Sequence, residues 1–293
     1  MQFLVDPEVN WKHPVVWVTG LAATLASGSV ILLFLFLVVQ GFPVFAEFGF
    51  GFFSGGDWLP GESYSVLPLV YGSLIVTALA LVWVMPPALG CALYSSEYLP
   101  PSWRRVVKAM MELLSGVPGI LFGLLGVSFL AVWVKDIFGL IDGNTLLTAS
   151  FLLAAMILPT IMTLAEDALR AVPSEYRETA RALGLTSSEI TFGVVLPQAL
   201  PGVAGAVLLG LGRAMGETVA VMLVIGGLDL IPEPWFDITQ PGQSIPSKLG
   251  REAAEALGSG MHWNALIASG LVLFLMVIVI SLIGTRLLKR KTA

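Results

Sequence analysis

The sequence has few charged residues and very little cysteine or histidine. Charged side chains make up 12% of the 293 residues, about half the share found in a typical soluble domain. A single cysteine, Cys91, excludes an intramolecular disulfide, and His13 and His262 lie too far apart to predict a metal cluster. Neither a nucleotide-binding P-loop pattern nor a catalytic triad is evident. We therefore expect no enzyme activity in this chain, no metal or cofactor, and no nucleic acid partner.

The sequence instead contains long runs without charged residues. Five stretches lack Asp, Glu, Lys and Arg, and each exceeds the ~20 residues that cross ~30 Å of hydrocarbon; they are 14–46, 63–96, 113–134, 143–165 and 256–285. A sixth apolar run, about 202–227, is interrupted only by Arg213 and Glu217. The sequence therefore predicts an all-α integral membrane protein with six transmembrane helices.

The first apolar run reads as a retained anchor rather than a signal peptide. It is too long for the apolar region of a signal peptide, and it ends in "LFLFLVVQGFPVF" without a small-residue cleavage site. We therefore treat residues 1–64 as an N-terminal anchor helix followed by an external loop.

Basic residues are distributed unevenly between the two faces that six spans define. Three fall on one face: Lys135, Lys248 and Arg251. Eleven fall on the other: Lys12, Arg104, Arg105, Lys108, Arg170, Arg177, Arg181, Arg286, Lys289, Arg290 and Lys291. Since cytoplasmic loops carry an excess of lysine and arginine, the sequence predicts that both termini are cytoplasmic.

A polar stretch at 166–201 falls on the predicted cytoplasmic face. It reads as two short helices, with Gly184 ending the first and a capping box of Thr186 and Glu189 starting the second. We expect the second helix to end near Leu196–Pro197, because a proline disfavours helix just before it. Isolated helices this short are marginal in water, so a partner surface is one interpretation and a solvated surface loop is the other.

The spacing within this stretch resembles the EAA motif of ABC importer permeases, which reads E-A-A, three residues, G, nine residues, I-x-L-P. The matching residues are Glu178, Ala180, Gly184, Leu196 and Pro197, while Thr179 replaces the first alanine and Val194 the isoleucine. In that family the motif forms a coupling helix that docks on a cytoplasmic ATPase. The resemblance implies the same role here.

Three further stretches narrow the resemblance to the C-type permease subunit of bacterial phosphate-specific ABC transporters. They are "ELLSGVPGILFGLLG" (112–126), "LGRAMGETVAVMLVIGG" (211–227) and "GQSIPSKLGREAAEALGSGMHWNALIASGLVLFL" (242–275). The resemblance implies a type I ABC importer permease fold over residues 65–290, with the coupling loop at 166–201. It also implies an inner-membrane heterodimer with an A-type permease subunit, two ATPase subunits, and an external binding protein that delivers phosphate.

Arg213 and Glu217 are the candidate substrate-pathway residues. On a helix spanning 202–227 they would lie one turn apart on one face, within reach of each other. A charge at the centre of a span costs roughly 2.5–3.5 kcal/mol, and such residues are functional by default. The hypothesis is that Arg213 eases an anion through the membrane and Glu217 competes with the anion for it. A structural salt bridge between the two is the alternative.

Polar residues on other spans are weaker candidates. Hydroxyls that would lie along a pathway, or bond their own backbone instead, belong to Ser73, Thr77, Thr160 and Thr163. Lys108 and Glu112 are spaced for an interfacial ion pair.

Three functions remain open on the sequence. The first is a permease subunit for phosphate, and the second is a permease for another oxyanion such as sulfate or molybdate. The third is a channel or structural membrane protein in which the Arg213–Glu217 pair joins helices; the EAA-like stretch disfavours it, because a channel has no need to bind an ATPase.

Overall fold

A computed structural model describes residues 14–289, with side chains described over 15–286. Six helices in it are long and apolar enough to cross a membrane, which agrees with the predicted number. These spans, numbered one to six in chain order, are Val15–Phe48, Leu67–Tyr98, Gly119–Phe138, Leu146–Arg170, Ser187–Gly216 and Met261–Arg286. The predicted membrane fold is therefore confirmed.

Some spans consist of more than one helix, and shorter helices lie between them. In the described part of the chain the α-helices are α1 (Pro14–Phe48), α2 (Gly51–Ser54), α3 (Leu67–Leu93), α4 (Pro101–Ser115), α5 (Gly119–Leu125), α6 (Ala131–Phe138), α7 (Leu146–Arg170), α8 (Ser174–Ala182), α9 (Ser187–Ile190), α10 (Leu196–Gly216), α11 (Val219–Val224), α12 (Ile245–Ala256) and α13 (Met261–Lys289). Short π-helical turns at Tyr94–Tyr98, Gly126–Leu130 and Thr191–Val195 adjoin α3, α5 and α10.

Span four, formed by α7, is the centre of the bundle. In its most apolar stretch 72% of the residues are buried, against 44% or less in the other spans. Glycines let span five approach it closely: a Cβ on Gly210 would lie 2.4 Å from a side-chain carbon of Ile161. Span one lies at the periphery, where it packs on span six, with the rings of Phe34 and Phe274 5.8 Å apart.

Span five differs from its prediction at both ends. It begins at Ser187 and ends at Gly216, so the expected end near Leu196–Pro197 is wrong. Pro197 lies in the first turn of α10, where the missing N–H costs little, and the π turn before it accommodates the ring. The segment that connects spans four and five is therefore 171–186, shorter than the predicted loop 166–201.

The expected continuous helix over 202–227 is also wrong. Glycine is a poor helix former, and α10 ends at Gly216 because Glu217 adopts an extended conformation with ψ of 120°. A new helix, α11, starts at Val219. The break separates the two predicted pathway charges, since only Arg213 belongs to α10.

The segment after α11 folds back against the bundle. Gly226 and Gly242 are paired as a bridge, and the chain then passes next to span two. A Cβ on Gly72 would lie 1.9 Å from the carbonyl oxygen of Gln243, so only glycine permits this approach. The next residues form α12 (Ile245–Ala256).

The predicted orientation of the termini depends partly on residues that the structure does not describe. Lys12, Arg290 and Lys291 lie outside the described residues.

Candidate substrate pathway and coupling segment

Arg213 is held by uncharged partners. Its guanidinium donates from Nη1 to the hydroxyl of Thr160 on span four at 2.8 Å. It also donates from Nη2 to the carbonyl oxygen of Ser115 at 3.1 Å. Ser115 is the last residue of α4, where helix carbonyls lack partners within the helix. The half-buried cation is thus solvated by neutral oxygens and keeps its charge available to an anion.

Glu217 lies at the break between α10 and α11. Its Oε1 accepts a hydrogen bond from the backbone N–H of Ala220 at 3.3 Å, and a Cβ on Gly119 would lie 2.8 Å from that oxygen. No ion pair joins Glu217 to Arg213 within the described residues. The predicted ion pair is therefore wrong for this conformation, because the helix that would align the two side chains ends between them.

A small cavity brings Glu217 together with three hydroxyl residues. Its volume is about 10 Å³, enough for about one water molecule. Ser73 and Thr77 of span two line it, as does Ser244 from the segment before α12. Ser73 Oγ also accepts from the backbone N–H of Ile245 at 2.9 Å. The structure thus assembles a polar region from three separate parts of the chain.

The four hydroxyls considered from the sequence have different surroundings. Ser73 and Thr77 line this cavity, and Thr160 binds Arg213. Thr163 instead donates to the backbone oxygen of Pro159 at 2.9 Å. Three of the four therefore lie beside the candidate charges, and Thr163 stabilises its own helix.

The EAA-like residues follow the C-terminal end of span four, opposite the end that contacts the segment before α12. Glu178 is exposed on α8, whereas Ala180 is buried. Gly184 has φ of +82°, a left-handed conformation that favours glycine, which agrees with the predicted helix end. Leu196 packs against the apolar core, and Pro197 is exposed. The predicted capping box is confirmed, with Thr186 and Glu189 bonded reciprocally.

Ion pairs tie this end of the bundle together. Arg177 of α8 forms a fork with Glu97 at the end of span two, at 3.1 and 2.9 Å. Lys108 of α4 pairs with Asp167 of span four. The expected pair of Lys108 with Glu112 is wrong, because the packing of α4 on span four presents a carboxylate that Lys108 binds instead.

A buried lysine lies at the end of the bundle opposite α8. Lys248 of α12 is 2% exposed and pairs with Asp229 and Glu252. Its Nζ is 5.1 Å from the centre of the Trp58 ring, within cation–π range. Burial raises the pKa of the Asp229 carboxyl above its ordinary value, although Lys248 opposes that shift. Nε2 of His262 lies 3.4 Å from Oε2 of Glu252.

Sequence reasoning missed several of these residues. Ser244, Ser115 and Gly119 meet the candidate charges only through tertiary packing. The glutamate of the Glu97–Arg177 pair gave no local signal, since 80 residues separate the partners.

The described spans bring an arginine, a glutamate and several hydroxyl groups together within an apolar bundle, and a polar connecting segment is exposed at one end. This arrangement suits a membrane transport subunit. The chain belongs to the family of binding-protein-dependent transport system inner membrane components, whose defining sequence pattern matches residues 88–292.

Individual proteins of known name are similar to this sequence over most of its length. It is 36% identical over 274 residues to the phosphate transport system permease protein PstC of Pasteurella multocida, covering 87% of this chain and 84% of that one. It is 33% identical over 290 residues to PstC of Mesorhizobium japonicum, covering 92% and 86%. A probable ABC transporter permease, YqgH of Bacillus subtilis, is 30% identical over 276 residues, covering 92% and 89%. The predicted relationship to C-type permease subunits is therefore confirmed.

Solved structures support the same fold. A bacterial alginate ABC transporter in complex with a periplasmic protein bound to alginate pentasaccharide has a TM-score of 0.62 at 16% identity, covering 94% of this chain and 96% of that chain. The inward-facing MetNI methionine ABC transporter has a TM-score of 0.57 at 20% identity, covering 78% and 94%. The fold is that of a type I ABC importer permease.

Proposed function

We propose that this chain is the membrane-spanning permease subunit of an ATP-driven importer that moves inorganic phosphate across the cytoplasmic membrane. The observation that carries this proposal is the similarity, over most of the chain, to relatives named as phosphate transport permeases. The same names favour phosphate over sulfate or molybdate. Family membership disfavours a channel.

The chemistry of the site suits an oxyanion. A guanidinium presents a planar fork that matches two oxygens of phosphate. Among the described residues, no carboxylate lies within ion-pair distance of Arg213. Phosphate would replace the Thr160 hydroxyl and the Ser115 carbonyl on the guanidinium. Because these ligands are neutral, the exchange does not require separating an ion pair.

Glu217 has the opposite effect on the anion. A conduction site must bind weakly enough to release its cargo, and a carboxylate beside the pathway repels phosphate. In this conformation the cavity beside Glu217 has room for only about one water molecule. The cavity that this chain forms by itself is therefore too small to hold phosphate.

The EAA-like segment supplies the connection to ATP. On α8 and the turn after it, Tyr176 is 50% exposed and Leu183 is 77% exposed, next to the exposed Glu178. Apolar side chains presented beside charge suit a protein surface. In this proposal 171–186 docks on one of two ATPase subunits, and the chain pairs with an A-type permease subunit and receives phosphate from an external binding protein.

Orientation and domain division belong to the same proposal. The excess of basic residues supports a cytoplasmic location for the end bearing Arg104, Arg177 and Arg181 and for both termini. Residues 65–290 then form the ABC type I transmembrane domain, and residues 1–64 an anchor and external loop.

Uptake in cells tests the proposal. The chain and its partner subunits are expressed in bacteria that lack their own high-affinity phosphate importer, and uptake of radiolabelled phosphate is measured. We expect uptake that unlabelled phosphate abolishes and that excess sulfate or molybdate leaves unchanged. Equal competition by sulfate or molybdate would establish the broader oxyanion alternative instead.

A further inference from the structure

We propose that Arg177 is a positioning residue that transmits movement of α8 to spans two and four, and so couples ATP hydrolysis to transport. This inference rests on the proposed function. It concerns a residue outside the substrate pathway, and it follows from how α8 is attached to the rest of the chain.

Apolar packing alone attaches α8 weakly. Of its nine residues, all within the described part of the chain, only Ala180 is buried. An alanine side chain is a single methyl group, so its burial contributes little. A helix that must carry force between a partner and the membrane spans needs a stronger connection.

Arg177 provides that connection to both spans. On the span-two side, its Nε and Nη2 donate to the two carboxylate oxygens of Glu97 at 3.1 and 2.9 Å. On the span-four side, Nη2 donates to the carbonyl of Leu169 at 2.9 Å, and Nη1 donates to that of Val172, just beyond the span, at 2.6 Å. One guanidinium therefore joins α8 to two spans.

The pair is protected from water, which makes it stiff. The side chains of Arg177 and Glu97 are 17% and 10% exposed. A planar fork on a carboxylate has one preferred geometry, and it is stronger at low dielectric than in water. Displacement of α8 therefore displaces Glu97 rather than simply stretching a flexible contact.

The two spans so connected carry the candidate pathway. Span two bears Ser73 and Thr77, which line the cavity beside Glu217. Span four bears Thr160, which holds Arg213. Movement of these spans changes both the size of the cavity and the ligands of the guanidinium. Arg177 thus links the segment that would dock on the ATPase to the groups that would meet phosphate.

The end of span two is also fixed to α4. Arg104 donates to the carbonyl oxygens of Ser95, Ser96 and Leu99 at 2.7 to 3.0 Å. These carbonyls belong to the π turn and the residue after it. Two arginines therefore bind the end of span two: Arg104 belongs to α4, and Arg177 belongs to α8.

The test compares transport with hydrolysis in the assembled complex. The chain, its A-type partner, the ATPase subunits and the binding protein are reconstituted in liposomes, and radiolabelled phosphate uptake and ATP hydrolysis are measured together. The variants are Arg177→Lys, which keeps the charge but not the fork, and Glu97→Gln, which keeps the shape but not the charge. Arg105→Lys is the matched control, since Arg105 is an exposed arginine of α4 outside the docking segment 171–186.

We expect both variants to assemble and hydrolyse ATP, while phosphate moved per ATP falls about fivefold or more, the scale of a typical coupling free energy. The double variant should match Arg177→Lys alone, because Glu97 acts only through the Arg177 guanidinium. Arg105→Lys should leave the ratio of phosphate to ATP unchanged.

Two results would overturn the inference. One is an unchanged ratio of phosphate to ATP in Arg177→Lys and Glu97→Gln. The other is loss of the assembled complex in both variants, which would assign the pair to assembly alone. Failure of the unsubstituted complex to take up phosphate while hydrolysing ATP would instead contradict the proposed function.

Discussion

Arg213 on span five donates to the hydroxyl of Thr160 on span four at 2.8 Å, and this hydrogen bond joins the two helices at the candidate pathway. The guanidinium has neutral ligands on both Nη atoms. Its charge is therefore stabilised by dipoles that an anion can displace.

Replacing Arg213 with glutamine should reduce phosphate uptake by about tenfold to a hundredfold, the range expected from losing one or two charge-assisted hydrogen bonds. The complex should still assemble, because glutamine can bond the same neutral acceptors. Uptake and the yield of intact complex are measured together, with Arg170→Gln on an exposed arginine as the control. Loss of assembly in Arg213→Gln alone would favour a structural role.

Glu217→Gln should impair transport more mildly. Without the carboxylate the anion is repelled less, so release slows and the maximal uptake rate falls by a few fold, while the half-saturating phosphate concentration does not rise. Initial uptake rates over a range of phosphate concentrations measure this. Glu62→Gln changes an exposed glutamate and is the control. Faster uptake in Glu217→Gln would contradict the proposed role.

Gly72→Ala should destabilise the fold by about 1–3 kcal/mol, the usual cost of overpacking a tight contact. The added Cβ would lie 1.9 Å from the carbonyl oxygen of Gln243, and backbone must shift to relieve it. Thermal unfolding in detergent measures the loss. Gly205→Ala is the control, because a Cβ there meets nothing within 4 Å. Equal stability of the two variants would mean that the segment before α12 does not pack on span two.

Lys248→Met should lower the free energy of unfolding by about 1–3 kcal/mol at neutral pH, since it leaves two partly buried carboxylates without their cation. Those carboxylates are Asp229 and Glu252. Thermal unfolding in detergent measures the loss, with Lys135→Met on an exposed lysine as the control.

The same variant should recover stability in acid. Burial raises the pKa of Asp229 in the folded protein, and removing Lys248 removes a group that lowers it. The folded state then binds a proton more tightly than the unfolded state, so stability falls as pH rises and returns as pH is lowered from about 7.5 to about 5. A variant equally unstable at both values would contradict this account.

Gly184→Ala should weaken binding of the ATPase. The left-handed backbone at this position, with φ of +82°, costs a residue with a side chain about 1–2 kcal/mol, so the turn after α8 would change shape. Capture of the ATPase by the tagged permease complex measures binding. Gly193→Ala, at a glycine with open space around it, is the control. Gly184→Asn should retain more binding than Gly184→Ala, since asparagine tolerates this conformation better.

Much of the fold follows from local patterns. The six spans are visible as uncharged runs, because the hydrocarbon thickness sets a minimum length that few soluble helices reach without charge. The capping box of Thr186 and Glu189 and the helix end at Gly184 were likewise predictable, since both depend on residues within one turn.

Helix breaks were less predictable. Arg213 and Glu217 have the spacing of an ion pair on one helix, yet the helix ends between them. Thr160 and Ser115 bind Arg213 through tertiary contacts. Glu217 instead accepts a local hydrogen bond from the N–H of Ala220.

The sequence by itself determined that this chain spans a membrane six times, carries an EAA-like connecting segment, and places an arginine and a glutamate among apolar residues. Those properties depend on composition and on spacing within a few turns. Only the tertiary structure decided which groups face Arg213, that Ser244 joins Ser73 and Thr77 at one cavity, and that Arg177 meets Glu97. Such contacts join residues far apart in the chain, and they are set by how the spans pack, which no local pattern encodes.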